Sequence, residues 1–122
     1  MSPYYSYWGI TIWASDISLK ANIQDSTESA LDTINSIKHR MFNWKDSGKL
    51  QRLGYVAQEL EQVDDSLVLK VQQEDGYILM QPDETKLIPY ITKAIQEEDE
   101  KVEDLKARIS TLEGIIVNYN LN

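Results

Sequence analysis

An α+β architecture, a small mixed domain followed by one long helix, is the expectation for this 122-residue chain. Short β-rich segments separated by turn residues fill its middle, and one segment with helical apolar spacing precedes them. From about residue 85 apolar residues recur alternately every three and four positions almost to the end. At 14.1 kDa there is room for one domain plus one extended element, too little for a multidomain enzyme.

Residues 1–14 carry no charged side chain, crowd Tyr4, Tyr5, Tyr7, Trp8 and Trp13 together, and include the β-type run Ile10-Thr11-Ile12-Trp13. Two readings stand side by side: an edge strand on the domain's own core, or the tail end of a preceding β-rich domain. A helix is expected after Asp25-Ser26. Asp25 and Glu28 have capping-box spacing, and Ala30, Leu31, Ile34 and Ile37 then fall on one face. Arg40 to Trp44 reads as a strand, Lys45 to Lys49 as a turn and Leu50 to Ala57 as the returning strand. Gln58 to Val63 adds a brief helical segment. Ser66 to Gln72 and Gly76 to Met80 make two more strands joined around Glu74-Asp75-Gly76.

Thr85 to Tyr119 reads as one helix with a heptad seam: Ile88, Ile91, Ile95, Val102, Leu105, Ile109, Leu112, Ile116 and Tyr119, with Glu98 in the one gap. Pro89 is expected near its first turn, where a missing N–H is tolerated. At ~1.5 Å per residue the element extends roughly 50 Å, far beyond the small domain, so other copies of the chain must cover its apolar stripe. Isoleucine at both core positions of the first heptad favours trimers, whereas β-branched residues paired with leucine in later heptads favour dimers, so the spacing supports a parallel oligomer without fixing its number.

Composition removes several classes of chemistry. With no cysteine and a single histidine, disulfides, thiolate nucleophiles, histidine triads and Cys- or His-rich metal sites are excluded, and no cofactor or metal is expected. Twelve basic against 20 acidic side chains give a net charge of −8 with no evident basic patch, so nucleic acid is not an expected partner. Neither a span of ~20 apolar residues nor a signal peptide is present, so no membrane association is expected and the chain reads as a soluble piece of something longer. His39, beside Lys38 and Arg40, reads as part of a basic turn that complements a helix C-terminus. The carboxylates Asp64-Asp65 and Glu97-Glu98-Asp99-Glu100 read as solvated faces, since no Gly-punctuated calcium loop accompanies them.

One segment stands out for catalysis. In Ser15-Asp16-Ile17-Ser18-Leu19-Lys20 a serine can be activated by an unprotonated lysine without any histidine. Residues five apart lie about 140° apart on an ideal helix and on opposite faces of an ideal strand, so a dyad needs an irregular backbone or a neighbouring chain. Read by itself, the segment more often describes a capping serine and a solvated lysine.

The order of segments resembles a known family. Ser15-Asp16 with Lys20, then Leu31 to Ile37 leading into Phe42-Asn43-Trp44, then Leu53-Gly54-Tyr55-Val56-Ala57-Gln58-Glu59-Leu60, then Lys86-Leu87-Ile88-Pro89-Tyr90 with Lys93-Ala94-Ile95-Gln96-Glu97, is similar to the intramolecular chaperone auto-processing domain. That domain ends phage tail spikes and fibres, including endosialidases and the neck appendages of Bacillus phages. The resemblance spans roughly residues 15 to 113. It departs from the family pattern at Val63-Asp64-Asp65-Ser66, where a phenylalanine-proline-glutamate run is common.

The resemblance implies a homotrimeric domain that assists folding of an upstream β-rich spike domain and then cuts itself off. The parent would be a virion tail or appendage precursor made in the host cytoplasm, and the domain would be released after cleavage. Ser15 and Lys20 would form a self-cleaving serine peptidase dyad acting once at the Ala14-Ser15 bond. Asp16 reads as a structural cap beside them, Gly54 as a site of close backbone approach, and Gln58 and Glu59 as capping or chain-bridging support. The divisions implied are a pre-cleavage segment at 1–14, a core at 15–84 and a coiled-coil helix at 85–122. The alternative is a trimerisation module without catalysis.

Overall fold

The computed structural model describes residues 4–7 and 10–121, with the backbone alone for 4–7 and 10–13. Its order is β1 (Tyr4–Tyr7), β2 (Ile10–Trp13), α1 (Ala30–Ser36), β3 (Arg40–Asn43), β4 (Leu50–Gly54), α2 (Ala57–Val63), β5 (Val68–Gln72), β6 (Ile78–Pro82) and α3 (Glu84–Leu121), an α+β arrangement. The strands form antiparallel hairpins between sequence neighbours. β1 and β2 pair with Tyr4 opposite Trp13 and Tyr7 opposite Ile10.

Each of the other two hairpins closes on a glycine in the left-handed region, Gly48 with φ 71° and Gly76 with φ 87°, where a side chain would be strained. In the first, the Gly48 N–H donates to the Trp44 carbonyl at 2.7 Å and Asn43 Nδ2 to the Gly48 carbonyl at 3.0 Å. In the second, Asp75 accepts from the Tyr77 N–H at 2.9 Å. The expected strand from Ser66 opens instead with a 3-10 turn at Asp65–Leu67, because Asp64 accepts from the Ser66 N–H at 2.9 Å and bends the chain before β5.

The core is small and is completed by the start of α3. Ile37, Leu60, Leu67, Val68 and Leu87 form one buried cluster with Ile34, Tyr55, Met80 and Tyr90 against it, and Ala30, Leu31 and Ala94 form a second. α3 therefore buries the face bearing Leu87, Tyr90 and Ala94. The seam residues Ile88, Ile91 and Ile95 lie about 100° round the helix from that face. They are exposed, as are Val102, Leu105, Ile109, Leu112 and Ile116. Pro89 sits in the second turn of α3 rather than the first. Its missing N–H leaves one rung of the ladder unmade, the Thr85 carbonyl being the acceptor that loses its partner.

α1 begins at Ala30, one turn later than the expected start after Asp25-Ser26. The Asp25/Glu28 capping box does not form. Ser29 precedes the helix and donates its hydroxyl to Asp32 at 2.8 Å, and the first amides are capped from elsewhere in the fold. Glu97 of α3 accepts from the Ala30 N–H at 3.2 Å and from the Leu31 N–H at 2.6 Å. One turn earlier on α3, Lys93 donates to the Ser26 carbonyl at 3.0 Å and to that of Glu28, and lies 3.7 Å from Glu97. A cation thus meets carbonyls and an anion meets amides along one strip of α3, which pins residues 26–31 to the long helix.

Candidate active site

The segment singled out for chemistry folds into a 3-10 turn, Ile17–Leu19, with extended residues on either side. Asp16 starts it, accepting from the Ser18 N–H at 2.9 Å and from the Ser18 hydroxyl at 2.5 Å. The Leu19 and Lys20 amides then bond back to the Asp16 and Ile17 carbonyls at 3.0 and 3.1 Å. This irregular backbone does what neither an ideal helix nor an ideal strand can. It returns Lys20 onto the residue before the turn, and Lys20 Nζ lies 2.6 Å from Ser15 Oγ.

Ser15 to Lys20 are exposed and Ala14 is half-buried in the single chain. The Asp16 carboxyl is held below its ordinary value, first by the Ser18 hydroxyl, then by the Ser18 N–H and, to a smaller degree, by the charge of Lys20. Asp16 is thereby an anionic cap that fixes the turn, and Ser15 Oγ with Lys20 Nζ is the pair the turn brings together.

Gln58 and Glu59 lie on α2, and among the described residues no hydrogen bond or ion pair joins either to Ser15 or Lys20. Glu59 accepts from Arg40 in a two-pronged pair, 2.9 Å to Nε and 2.7 Å to Nη2, and Lys38 lies 4.0 Å away. The pair ties β3 to α2, and the Arg40 hydrogen bond is the main reason the Glu59 carboxyl lies below its ordinary value. Gln58 is exposed on the same helix. Gly54 packs where a Cβ would meet the Phe42 ring at 2.9 Å, a close approach that only glycine allows. His39 stacks at a tilt on Tyr55, with centroids 5.4 Å apart.

The Lys93/Glu97 clamp was not legible in the acidic run that contains Glu97. The signal that could have exposed it is the i,i+4 pairing of a lysine and a glutamate on α3 facing the buried start of α1.

Residues 15–69 match the family described as Chaperone of endosialidase, whose family name is that of a peptidase. A probable tail fiber protein of Escherichia phage Phieco32 is 33% identical over 99 residues, 79% of this chain. Residues 15–69 thus carry the chaperone-of-endosialidase pattern, which supports an intramolecular chaperone domain of phage tail proteins. The family match opens at Ser15 and ends at Leu69 in β5, so it takes in the Ser15/Lys20 turn, α1, the β3–β4 hairpin and α2. The chain spans about one seventh of the length of its tail-fiber relative, 14%.

Proposed function

We propose that the chain is the C-terminal intramolecular chaperone of a phage tail spike, fibre or appendage protein, divided as 1–14, 15–84 and 85–122. It trimerises through α3, registers three upstream β-rich chains for folding, and then releases itself by cutting Ala14-Ser15. The observation that carries the assembly role is α3 itself. One of its faces is already spent on the core through Leu87, Tyr90 and Ala94, and a second apolar row continues to Ile116 with nothing among the described residues to cover it. Three such rows meeting on one axis hold their chains at high local concentration before slow β pairing begins. Severing the link afterwards leaves the folded spike protected by its unfolding barrier. The client would belong to a virion tail, in keeping with the tail-fiber relative, and its assembly would take place in the host cytoplasm.

The Ser15–Lys20 approach supports the cleavage step. Neutral Lys20 takes the Ser15 hydroxyl proton as Oγ bonds to the Ala14 carbonyl carbon. The Ala14 C–N bond then breaks, its nitrogen gaining a proton and becoming the free amine of Ser15, and water hydrolyses the resulting ester to leave the Ala14 carboxylate. Covering of this exposed turn by the assembled client would fix the reacting groups in place and so couple cutting to completed folding. Ser15→Ala and Lys20→Ala in the full-length precursor are each expected to leave it uncut. Processing at the wild-type rate by either variant refutes the dyad.

A second reading, a trimerisation module without catalysis, is favoured by the solvent exposure of both dyad residues in the single chain. Intact mass of the precursor over days separates the two. Cleavage yields a fragment beginning at Ser15, whereas a pure scaffold yields none.

A further inference from the structure

The β3–β4 hairpin concentrates positive charge in an acidic molecule. Residues 38–53 hold five of the chain's 12 Lys and Arg side chains and only one of its 20 carboxylates. The basic residues are interleaved with Met41, Phe42 and Trp44, so the linear sequence shows no basic run and the hairpin is what gathers them. Lys38 and Arg40 face Glu59 at the root. Lys45, Lys49 and Arg52 are exposed and form no ion pair among the described residues. Between them Trp44 is 52% exposed yet held in place, its indole N–H donating to Gln51 at 3.2 Å and its ring meeting Phe42 edge-on with centroids 5.2 Å apart. A fixed, half-open tryptophan flanked by unpaired lysines has the make-up of a docking surface for an acidic partner.

The chain carries a counterpart. A groove of about 600 Å³ between α1 and α3 is lined by four carboxylates, Asp32, Glu97, Glu100 and Asp104, against two bases, with Leu31 and Leu105 supplying apolar wall. Leu105 also belongs to the α3 seam, so a copy that meets this one across the seam lies beside the groove. The reach is sufficient. From Arg40 to Lys45 at the turn a strand extends about 17 Å, and along α3 from Leu87, where the core packs, to Glu97 at the near end of the groove is about 15 Å.

We propose that the β3–β4 hairpin of one copy docks Trp44, Lys45 and Lys49 into the acidic α1–α3 groove of a second copy. The inference rests on the oligomeric reading above and deepens it. Three chains of charge −8 repel one another along a seam that carries no cation and has Glu98 in its one gap. The hairpin-in-groove contact sets opposite charges together between chains, which favours one register and disfavours slipped ones.

Because the chain has no cysteine, Lys49→Cys combined with Glu100→Cys in the full chain gives a clean cross-linking test. Mild oxidation is expected to produce a covalent ladder ending at three chains on a denaturing gel, with neither single variant doing so. An intrachain loop, or no cross-link in a chain that still sediments as an oligomer, overturns the docking while leaving the oligomer intact. A solitary species before oxidation overturns both. In parallel, Lys45→Glu with Lys49→Glu is expected to weaken association about tenfold at low salt and little at 1 M. Adding Glu100→Lys with Asp104→Lys restores it. Failure of the fourfold variant to recover, with its circular dichroism unchanged, also counts against the contact.

Discussion

Glu97→Ala removes the carboxylate that caps α1 from α3. Glu97 accepts two backbone N–H bonds, the shorter at 2.6 Å, and its side chain is 25% exposed. A lost helix cap costs about 0.5–2 kcal/mol, and hydrogen bonds to a charged group contribute about 1.5–3 kcal/mol each. Partial access of water to the freed Ala30 and Leu31 amides offsets much of the second figure, leaving an expected loss of about 2 kcal/mol. That is roughly a 30-fold shift toward the unfolded state, or about 8 °C in thermal midpoint for a chain of this size. Glu97→Gln keeps one acceptor oxygen and is expected to lose about half as much. Urea denaturation at one fixed protein concentration measures both, since association makes stability concentration-dependent. Amide exchange at Leu31 provides a local readout. A Glu97→Ala chain within about 0.5 kcal/mol of wild type, with Leu31 equally protected, would refute the clamp.

Three further outcomes are expected. Gly54→Ala drives a methyl to within 2.9 Å of the Phe42 ring, which has no flexible end to swing aside. It should cost about 1–3 kcal/mol in chemical denaturation; an unchanged midpoint contradicts the close approach. The Glu59 carboxyl, lowered chiefly by its hydrogen bond from Arg40, contributes stability that is full above the unfolded value near 4.5 and is lost as pH falls through the lower folded value. An NMR titration should therefore find Glu59 below 4.5 and find Arg40→Gln moving it back up, with titration at or above 4.5 in the wild type excluding the pair. Ser18→Ala takes away the first cause of the low Asp16 value, so that carboxyl should rise toward its ordinary range in the same experiment. No change would mean that the turn is held by other means.

The hairpins and the long helix were legible because their signals are local: turn residues at Gly48 and Gly76, and apolar spacing along α3. The start of α1 was misplaced because its true cap comes from Glu97, 66 residues away from Leu31, and no local rule sees that far. The Ser15/Lys20 pair was visible as residue types but not as geometry, since its approach depends on the Asp16–Ser18 turn. Glu59 was noticed as part of a motif, but its bond to Arg40 is a tertiary fact joining β3 to α2. The basic hairpin is hidden in the linear sequence for a similar reason: its charges are spaced along two strands and meet only when these pair.

The exposed seam of α3 is proposed to be covered by other copies of itself. Sedimentation equilibrium of the full chain at micromolar concentration tests this most directly. A species of three times 14.1 kDa, falling apart when Ile109 and Ile116 are changed to Asp, is the predicted result. A well-folded species of 14.1 kDa with the seam intact would contradict it.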